Sequence, residues 1–468
     1  MALAIKDKQW LVLGLGDTGL SLTRWLTRHG AHVRVADTRP NPPHATKLKR
    51  DFAAVDLVTG SYRAETFSDV DGIAISPGVS LRETLVAQAA AQGIPIVGDV
   101  ELFAQAITVA PQPTKIIGIT GSNGKSTVTT MVGDMCKAAG LETVVAGNIG
   151  LPVLDALSES DAATVKPQCY VLELSSFQLE TTASLELDAA TVLNVTEDHL
   201  DRYDGMSEYA QAKARIFADC RHQVLNRDDS YSVAMKKSGN AVSYFGRSVP
   251  LGPDHFGLLS LRGETWLAQD QTPHIALSEL PLAGGHNAAN ALAALALARA
   301  IDLPFPPLLE ALRRFRGLPH RVEKVMDIGT VGFYDDSKGT NVGATVAALL
   351  GMKEKVVLIA GGDGKGQDFS PLNDAVAKHA RAVILIGRDA ELIAAAIASS
   401  GVKLLRAKSM DEAVRTALQV SVPGDRVLLS PACASFDMFN NYVHRAQVFI
   451  DAVRSLAVAQ RTVSNGAH

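Results

Sequence analysis

Short apolar runs alternate with helical patterns along almost the whole chain. The runs WLVLGLG (10–16), HVRVADT (32–38), GIAIS (72–76), KIIGIT (115–120), YVLELS (170–175), ATVLNV (190–195), KVVLIAGG (355–362), AVILIG (382–387) and RVLLS (426–430) are predicted strands. Several are apolar at every position rather than at every second one, the pattern of parallel strands covered by helices on both faces. Repeated strand–helix units predict doubly wound α/β domains. The segment 241–281 is less regular and predicts antiparallel strands. No internal repeat or low-complexity tract is visible.

Proline-containing breaks divide this series. APQPT (110–114) lies before one strand, and FRGLPHR (315–321) follows a long Ala/Leu pattern. Proline restricts its own backbone and that of its predecessor, so both read as connections. The expected domains are 1–112, 113–318 and 319–468, in keeping with roughly 150 residues per domain.

Composition narrows the class. The chain is 47% apolar and 20% charged, with a net charge of −4 and no long basic run. That fits a soluble globular protein and argues against a general nucleic-acid or membrane-surface binder. Cys136, Cys169, Cys220 and Cys433 form no CxxC pair. Neither a disulfide framework nor a zinc site is expected, and a reducing compartment fits. Lys6, Asp7 and Lys8 interrupt the apolar N-terminal stretch, so no signal peptide is read. No apolar stretch approaches the roughly 20 residues that span a bilayer. The expectation is a cytoplasmic protein.

The stretch KIIGITGSNGKSTVTTM (115–131) carries the clearest chemistry. A buried strand feeds a small-residue turn and then a helix from about Lys125. Glycines let backbone N–H groups crowd round a phosphate, the helix N-terminus adds partial positive charge, Lys125 adds a full one, and Ser126 can ligate Mg²⁺. The strict G-x-x-x-x-G-K-[ST] spacing would need glycine at 119, where this chain has Ile119; the glycines stand instead at 121 and 124. A glycine-rich turn with a surface lysine is the bland alternative, and the flanking strand and helix favour a nucleoside triphosphate. Glu173, inside the apolar run YVLELS, is costly to bury unless a cation meets it. Asn194, Glu197, Asp198 and His199 cluster after another strand, as capping residues or as ligands.

GLGDTG (14–19) follows a strand and opens a helix, and Asp37 ends the next strand. Alone this is a dinucleotide fingerprint, implying an NAD-dependent oxidoreductase. A UDP-sugar also supplies a diphosphate and a ribose, and a chain with an ATP loop needs no nicotinamide.

The phosphate loop, ELSSFQLE, NVTEDHLD, GGHNAANALAALA (284–296), GLPHRVE (317–323), DDSKGTN (335–341), GGDGKGQDF (361–369) and LSPACASFD (429–437) occur here in one order. Together they closely resemble the Mur ligases of peptidoglycan synthesis, over essentially the whole chain. Within that family DSKGTN is most similar to the members that join D-glutamate to UDP-N-acetylmuramoyl-L-alanine. The resemblance implies an α/β fold of three domains: a Rossmann-like UDP-binding N-terminal domain, a central P-loop ATPase-like domain, and a Rossmann-like C-terminal domain contacting glutamate and nucleotide. It implies small-molecule substrates, ATP, Mg²⁺ at two sites and a monomer, in an ATP-dependent amide-forming reaction through an acyl phosphate.

Residue roles follow from the same resemblance. Asp17, Thr18, Asp37, Thr38, Arg39, Gly78 and Asn148 are implied at the UDP substrate. Gly121, Ser122, Asn123, Gly124, Lys125, Ser126, Thr127, Asn287, Asn290, Arg321 and Asp336 are implied at ATP. Lys338, Thr340, Lys365, Ser435 and Tyr442 are implied at D-glutamate. Lys125, Glu173, His199, Lys213 and Arg321 are the implied catalytic residues, with Ser126, Glu173, His199 and Lys213 serving Mg²⁺.

Several of these have plainer readings. By pattern alone Lys213, in YAQAKARIF, is a solvated helical lysine; the resemblance makes it a carbamate formed with CO₂, which requires a neutral amine. HNAANALAALALARA reads as an amphipathic helix capped by Asn287, although Asn287 and Asn290 share a face. Lys365 in its glycine loop reads equally well as solvated. Cys433 reads as a small buried residue rather than a nucleophile. A folylpolyglutamate synthase-like ligase, an oxidoreductase and a non-catalytic nucleotide sensor remain as rivals.

Overall fold

A computed structural model describes residues 3–108, 114–282 and 284–465. The expected boundary at 112/113, and all of the APQPT break but Thr114, lie outside the described residues. The chain divides into two compact units. One comprises Met1–Val195, Ser207–Leu277 and Asn290–Arg313; the other comprises Thr196–Met206, Ser278–Ala289 and Arg314–His468.

The first unit holds two sheets. Strands β1 (Gln9–Leu13), β2 (His32–Asp37), β3 (Asp56–Thr59), β4 (Gly72–Ile75) and β5 (Ile96–Val97) form a sheet in the order β3-β2-β1-β4-β5, all parallel. The order reverses at β1, a switch point of the kind where doubly wound sheets bind ligands. Gly19 is required there: a Cβ on it would stand 1.7 Å from the Gly14 carbonyl oxygen. Only glycine lets the helix Asp17–Arg28 lie this close to the loop after β1.

The second sheet contains β6 (Lys115–Thr120), β7 (Thr143–Gly147), β8 (Cys169–Glu173), β9 (Glu186–Val192), β10 (Asp219–Asn226), β11 (Ala241–Phe245), β12 (His255–Leu261), β13 (Glu264–Gln269) and β14 (Thr272–Ala276). Its order is β14-β13-β12-β11-β10-β9-β6-β8-β7. The irregular 241–281 segment does supply antiparallel strands, β12 to β14, which extend the parallel part of this sheet. The predicted strand 190–195 is displaced: β9 ends at Val192, so Asn194 lies in the following loop.

The helix Asp99–Ile107 packs beside this sheet, and Glu101 accepts hydrogen bonds from the Ala183 and Ser184 amides at 2.7 and 2.9 Å. Two residues earlier, burial pushes the Asp99 carboxyl up to about 6, with the Gln178 hydrogen bond pulling the other way. Such a group contributes stability in full below its unfolded value of 3.8, and that contribution is lost as pH rises through the folded value near 6. Asp99→Asn, neutral at every pH, is expected to exceed the parent in stability at pH 8 by up to about 3 kcal/mol. The gap should close by pH 4. Urea unfolding at both pH values checks this, and an equal gap at both would contradict it.

In the second unit, β15 (Glu323–Ile328), β16 (Val331–Asp335), β17 (Val356–Gly361), β18 (Ala380–Ile386), β19 (Lys403–Arg406) and β20 (Arg426–Leu429) order as β15-β16-β20-β17-β18-β19. Only the β15–β16 pair is antiparallel. β17 shows why its run is apolar throughout. Val356, Leu358 and Ala360 point into one buried cluster, and Val357 and Ile359 into the cluster on the other face. Among the described residues no helix is long and apolar enough to cross a membrane.

Candidate active site

The loop after β6 is built as the sequence implied. The helix starts at Lys125, and Gly124 before it takes the left-handed conformation at φ 85°. A side chain there would also strike Asn290, whose Oδ1 would lie 2.7 Å from its Cβ. Asn290 therefore abuts the loop from the helix Gly285–Ala300. Asn194 braces the other side: its carbonyl accepts from the Ser122 amide at 2.9 Å and its side chain from the Asn123 amide at 2.8 Å. Lys125 Nζ closes over the loop, donating to the carbonyls of Gly121 at 2.7 Å and Ser122 at 2.9 Å. Ser126 and Thr127 are buried in the first helical turn. A left-handed glycine turn, a helix N-terminus and an ammonium together suit a phosphate chain.

Adjacent strands bring the other groups to this edge. Glu173 ends β8, which pairs with β6, and is buried. Its Oε1 accepts from Asn148 Nδ2 at 2.8 Å. Its Oε2 is buried with no hydrogen-bond partner, as is the Thr120 hydroxyl at the end of β6. An orphaned carboxylate oxygen so placed fits a cation ligand, because burial without a partner is costly.

Lys213 corrects the pattern-based reading of a solvated lysine: only 1% of it is exposed. It lies one turn after Tyr209 on the helix Met206–Ala214, and both side chains face inward. Its Nζ sits 4.3 Å from the Tyr209 ring centre and donates to the Gly121 carbonyl at 3.0 Å. The Tyr209 hydroxyl in turn accepts from Ser122 Oγ at 3.2 Å. Two lysines thus converge on one carbonyl of the phosphate loop.

At the first sheet's switch point, Asp37 is buried and its carboxylate is fully engaged. It accepts from the Leu15 amide at 2.7 Å and from the Arg39 backbone and guanidinium at 2.6–2.9 Å. Burial raises its pKa, but the Arg39 and amide hydrogen bonds outweigh it and hold the carboxyl below its usual value. Thr38, next in the chain, is exposed, as is Gly78 in the loop after β4, and Asp17 pairs with His44 at 2.8 Å.

In the second unit, the parallel neighbours β16, β20 and β17 release three loops at one sheet edge. They carry Lys338 and Thr340, then Ser435, then Lys365. Lys365 is not solvated: its Nζ meets Asp198 Oδ1 at 2.8 Å. Asn341 donates to the other Asp198 oxygen at 3.2 Å, and the His199 ring lies 3.7 Å from it. Lys338 Nζ stands 3.9 Å over the Tyr442 ring. Asp336 is buried and accepts from Ser430 Oγ at 2.6 Å. Burial pushes its carboxyl up to about 7, against the pull of Ser430 and the Arg321 charge. Ser435 is buried.

Other readings change as well. The helix Gly285–Ala300 is not amphipathic, since Ala288 and every residue from 291 to 298 are buried. Asn287 lies inside this helix and does not cap it. Cys433 is fully buried, and burial pushes its thiol up to about 12, as suits a packing residue. Sequence reasoning missed Tyr209, the bracing by Asn194, and the contact of buried Asp335 with His320 Nδ1 at 2.6 Å. The paired acids of DDSKGTN, one of them ending a strand, were the available signal for the last.

Residues 8–98 match the family described as Mur ligase MurD-like, N-terminal domain; residues 119–298 the Mur ligase middle domain; and residues 320–433 the Mur ligase glutamate ligase domain. The chain is 58% identical over 472 residues to the UDP-N-acetylmuramoylalanine–D-glutamate ligase of Thiobacillus denitrificans, covering 98% of each chain. It is 56% identical over 452 residues to the enzyme of that name from Nitrosomonas europaea, covering 96% of each. Among solved structures it resembles the UDP-N-acetylmuramate-alanine ligase of Thermotoga maritima, with a TM-score of 0.62 at 20% identity over 96% of this chain and 100% of that one. A pseudomurein peptide ligase type C from Methanothermus fervidus gives a TM-score of 0.57 at 19% identity, over 90% of this chain and 96% of the other. These two likenesses show a shared fold.

Proposed function

The chain belongs to the Mur ligase family, and on that ground we infer that it is the ATP-dependent ligase joining D-glutamate to UDP-N-acetylmuramoyl-L-alanine in peptidoglycan precursor synthesis. The observation that carries this is the 58% identity with a D-glutamate-adding ligase across 98% of both chains. In the reaction, the carboxylate of the UDP substrate takes the γ-phosphoryl group of ATP and ADP leaves. The glutamate amine then attacks the acyl phosphate, expelling phosphate and forming the amide.

The chain's residues divide this work. The 121–127 loop holds the triphosphate, with Lys125 leaving the Gly121 and Ser122 carbonyls to neutralise the β/γ-phosphates. Asn290 supports the loop, and Asn287, Arg321 and Asp336 contact the nucleotide, Arg321 at the transferring phosphoryl group. Ser126 and the orphaned Glu173 oxygen fit one Mg²⁺, with His199 assigned to a second. Bound there, Mg²⁺ supplies positive charge against the anions that meet during phosphoryl transfer. Lys213, as a carbamate, adds an anion that orients the metal. The Asp37-anchored Arg39 presents its cation beside Thr38, Asp17, Thr18 and Gly78 for the UDP end, and Asn148 reaches the substrate from beside Glu173. Lys338, Thr340, Lys365 and Ser435 bind the two carboxylates of D-glutamate, with Tyr442 packing alongside. The domains are assigned as 1–112, 113–318 and 319–468.

The decisive assay compares D- and L-glutamate side by side with ATP, Mg²⁺ and UDP-N-acetylmuramoyl-L-alanine, following phosphate release and product mass. Ligation of D-glutamate with one phosphate released per amide is expected. Use of L-glutamate alone, or ligation without ATP turnover, would reverse the assignment.

A further inference from the structure

We propose that Arg445 is a positioning residue for D-glutamate, clamping together the loops after β16 and β20 that bring Lys338, Thr340 and Ser435 to the substrate. The proposal rests on the reading of this sheet edge as the glutamate site. Arg445 lies one turn after Tyr442 on the helix Tyr442–Asn465 and is 1% exposed, among the largest fully buried side chains. Its guanidinium is spent on those two loops. Nε donates to Ser337 Oγ at 3.0 Å, Nη2 to the Ser337 carbonyl at 2.8 Å, and Nη1 to the Cys433 carbonyl at 3.1 Å. The Ser337 hydroxyl in turn donates to the Tyr442 carbonyl at 2.8 Å. One side chain therefore fixes the backbone immediately before Lys338, the backbone two residues before Ser435, and the start of the helix that bears Tyr442.

The chemistry of the residue suits that task. Burial pulls the guanidinium down to about 10, still far above neutrality, so the group remains a cation. A buried charge is costly, and here carbonyl and hydroxyl oxygens take it up through directed hydrogen bonds. Only arginine offers a rigid planar fork that reaches two separate loops at once; a lysine ammonium is a point donor at the end of a flexible stem. The strands below would hold each loop without it, because β16 and β20 are paired in register from Gly332 to Asp335. What Arg445 adds is the spacing between the loop tips, and a dicarboxylate gripped from both tips is sensitive to that spacing.

Arg445→Lys keeps the charge and removes the fork, and Ser337→Ala removes the hydroxyl shared by Arg445 and Tyr442. With the other substrates saturating, Arg445→Lys is expected to raise KM for D-glutamate by roughly tenfold or more, the effect of losing about one charge-assisted hydrogen bond. KM for ATP and for the UDP substrate should move less than about twofold. Ser337→Ala should raise the D-glutamate KM in the same direction by a smaller factor, and adding it to Arg445→Lys should cost little more, since both break one network. Equal rises in all three KM values, or a fall in kcat with KM for D-glutamate unchanged, would show a merely structural arginine and overturn the proposal. Should Arg445→Lys fail to fold, Ser337→Ala decides alone, and an unchanged D-glutamate KM there overturns it. A parent enzyme that ligates no D-glutamate would instead defeat the functional reading, and that is visible before any variant is made.

Discussion

Lys125→Ala is expected to abolish ligation and to leave the fold intact. Lys125 is half-buried, and in this structure its ammonium caps the Gly121 and Ser122 carbonyls. Both contacts lie within the loop itself, so their loss perturbs the loop and not the sheet beneath it. A stability change of about 1–2 kcal/mol or less is expected. The kinetic loss is far larger, because phosphoryl transfer between two anions depends on fixed positive charge more than on covalent help. Removing such a group typically costs on the order of 10²–10³ in rate, and here the same lysine also holds the nucleotide. Phosphate release by the variant, measured beside its thermal unfolding, checks both halves. Near-parental turnover in a folded variant would sink the phosphate-loop assignment.

How far the sequence could be read depends on what each residue type signals alone. Strands buried on both faces declare themselves by unbroken apolar runs, as β6 and β17 do. β3 and β5 carry too few apolar residues to stand out, and β5 is only Ile96–Val97. The phosphate loop was legible because glycine, lysine and serine are needed together there. Lysine elsewhere defeats pattern reading. Lys213 and Lys365 look alike in sequence, and neither is solvated: one is sealed beneath Tyr209 and the other is paired with Asp198, far away in the chain. Such pairings are set by which loops share a sheet edge, and strand order is not written in any local pattern. Arg445 is the extreme case. Nothing in VHRAQVF marks this arginine as buried, because its partners Ser337 and Cys433 come from the loops after β16 and β20.

Lys213→Ala is the second change expected to collapse activity, and its buried position sharpens the test. A solvated lysine is already excluded by 1% exposure, which leaves a structural cation or a carbamate. As a structural cation it would stabilise the loop through its bond to Gly121 and its contact with Tyr209. Losing that would cost about 1–3 kcal/mol of stability, and small acids would restore nothing. A carbamate keeps one N–H, which is enough to preserve the Gly121 bond, and adds one negative charge shared over two oxygens, the oxygen-donor chemistry that suits Mg²⁺. CO₂ adds only to an unprotonated amine, and desolvation is what most readily frees one. On that reading the variant loses a metal-orienting anion, and the loss should be of the order seen for other electrostatic groups, about 10²–10³ in rate. Formate or acetate, entering the space vacated by the side chain, should return part of it. Parent enzyme equilibrated with ¹³C-bicarbonate should show a carbamate carbon resonance that the variant lacks. Full activity in the untreated variant, or a loss with neither rescue nor resonance, would leave Lys213 a structural cation and remove the carbamate from the mechanism.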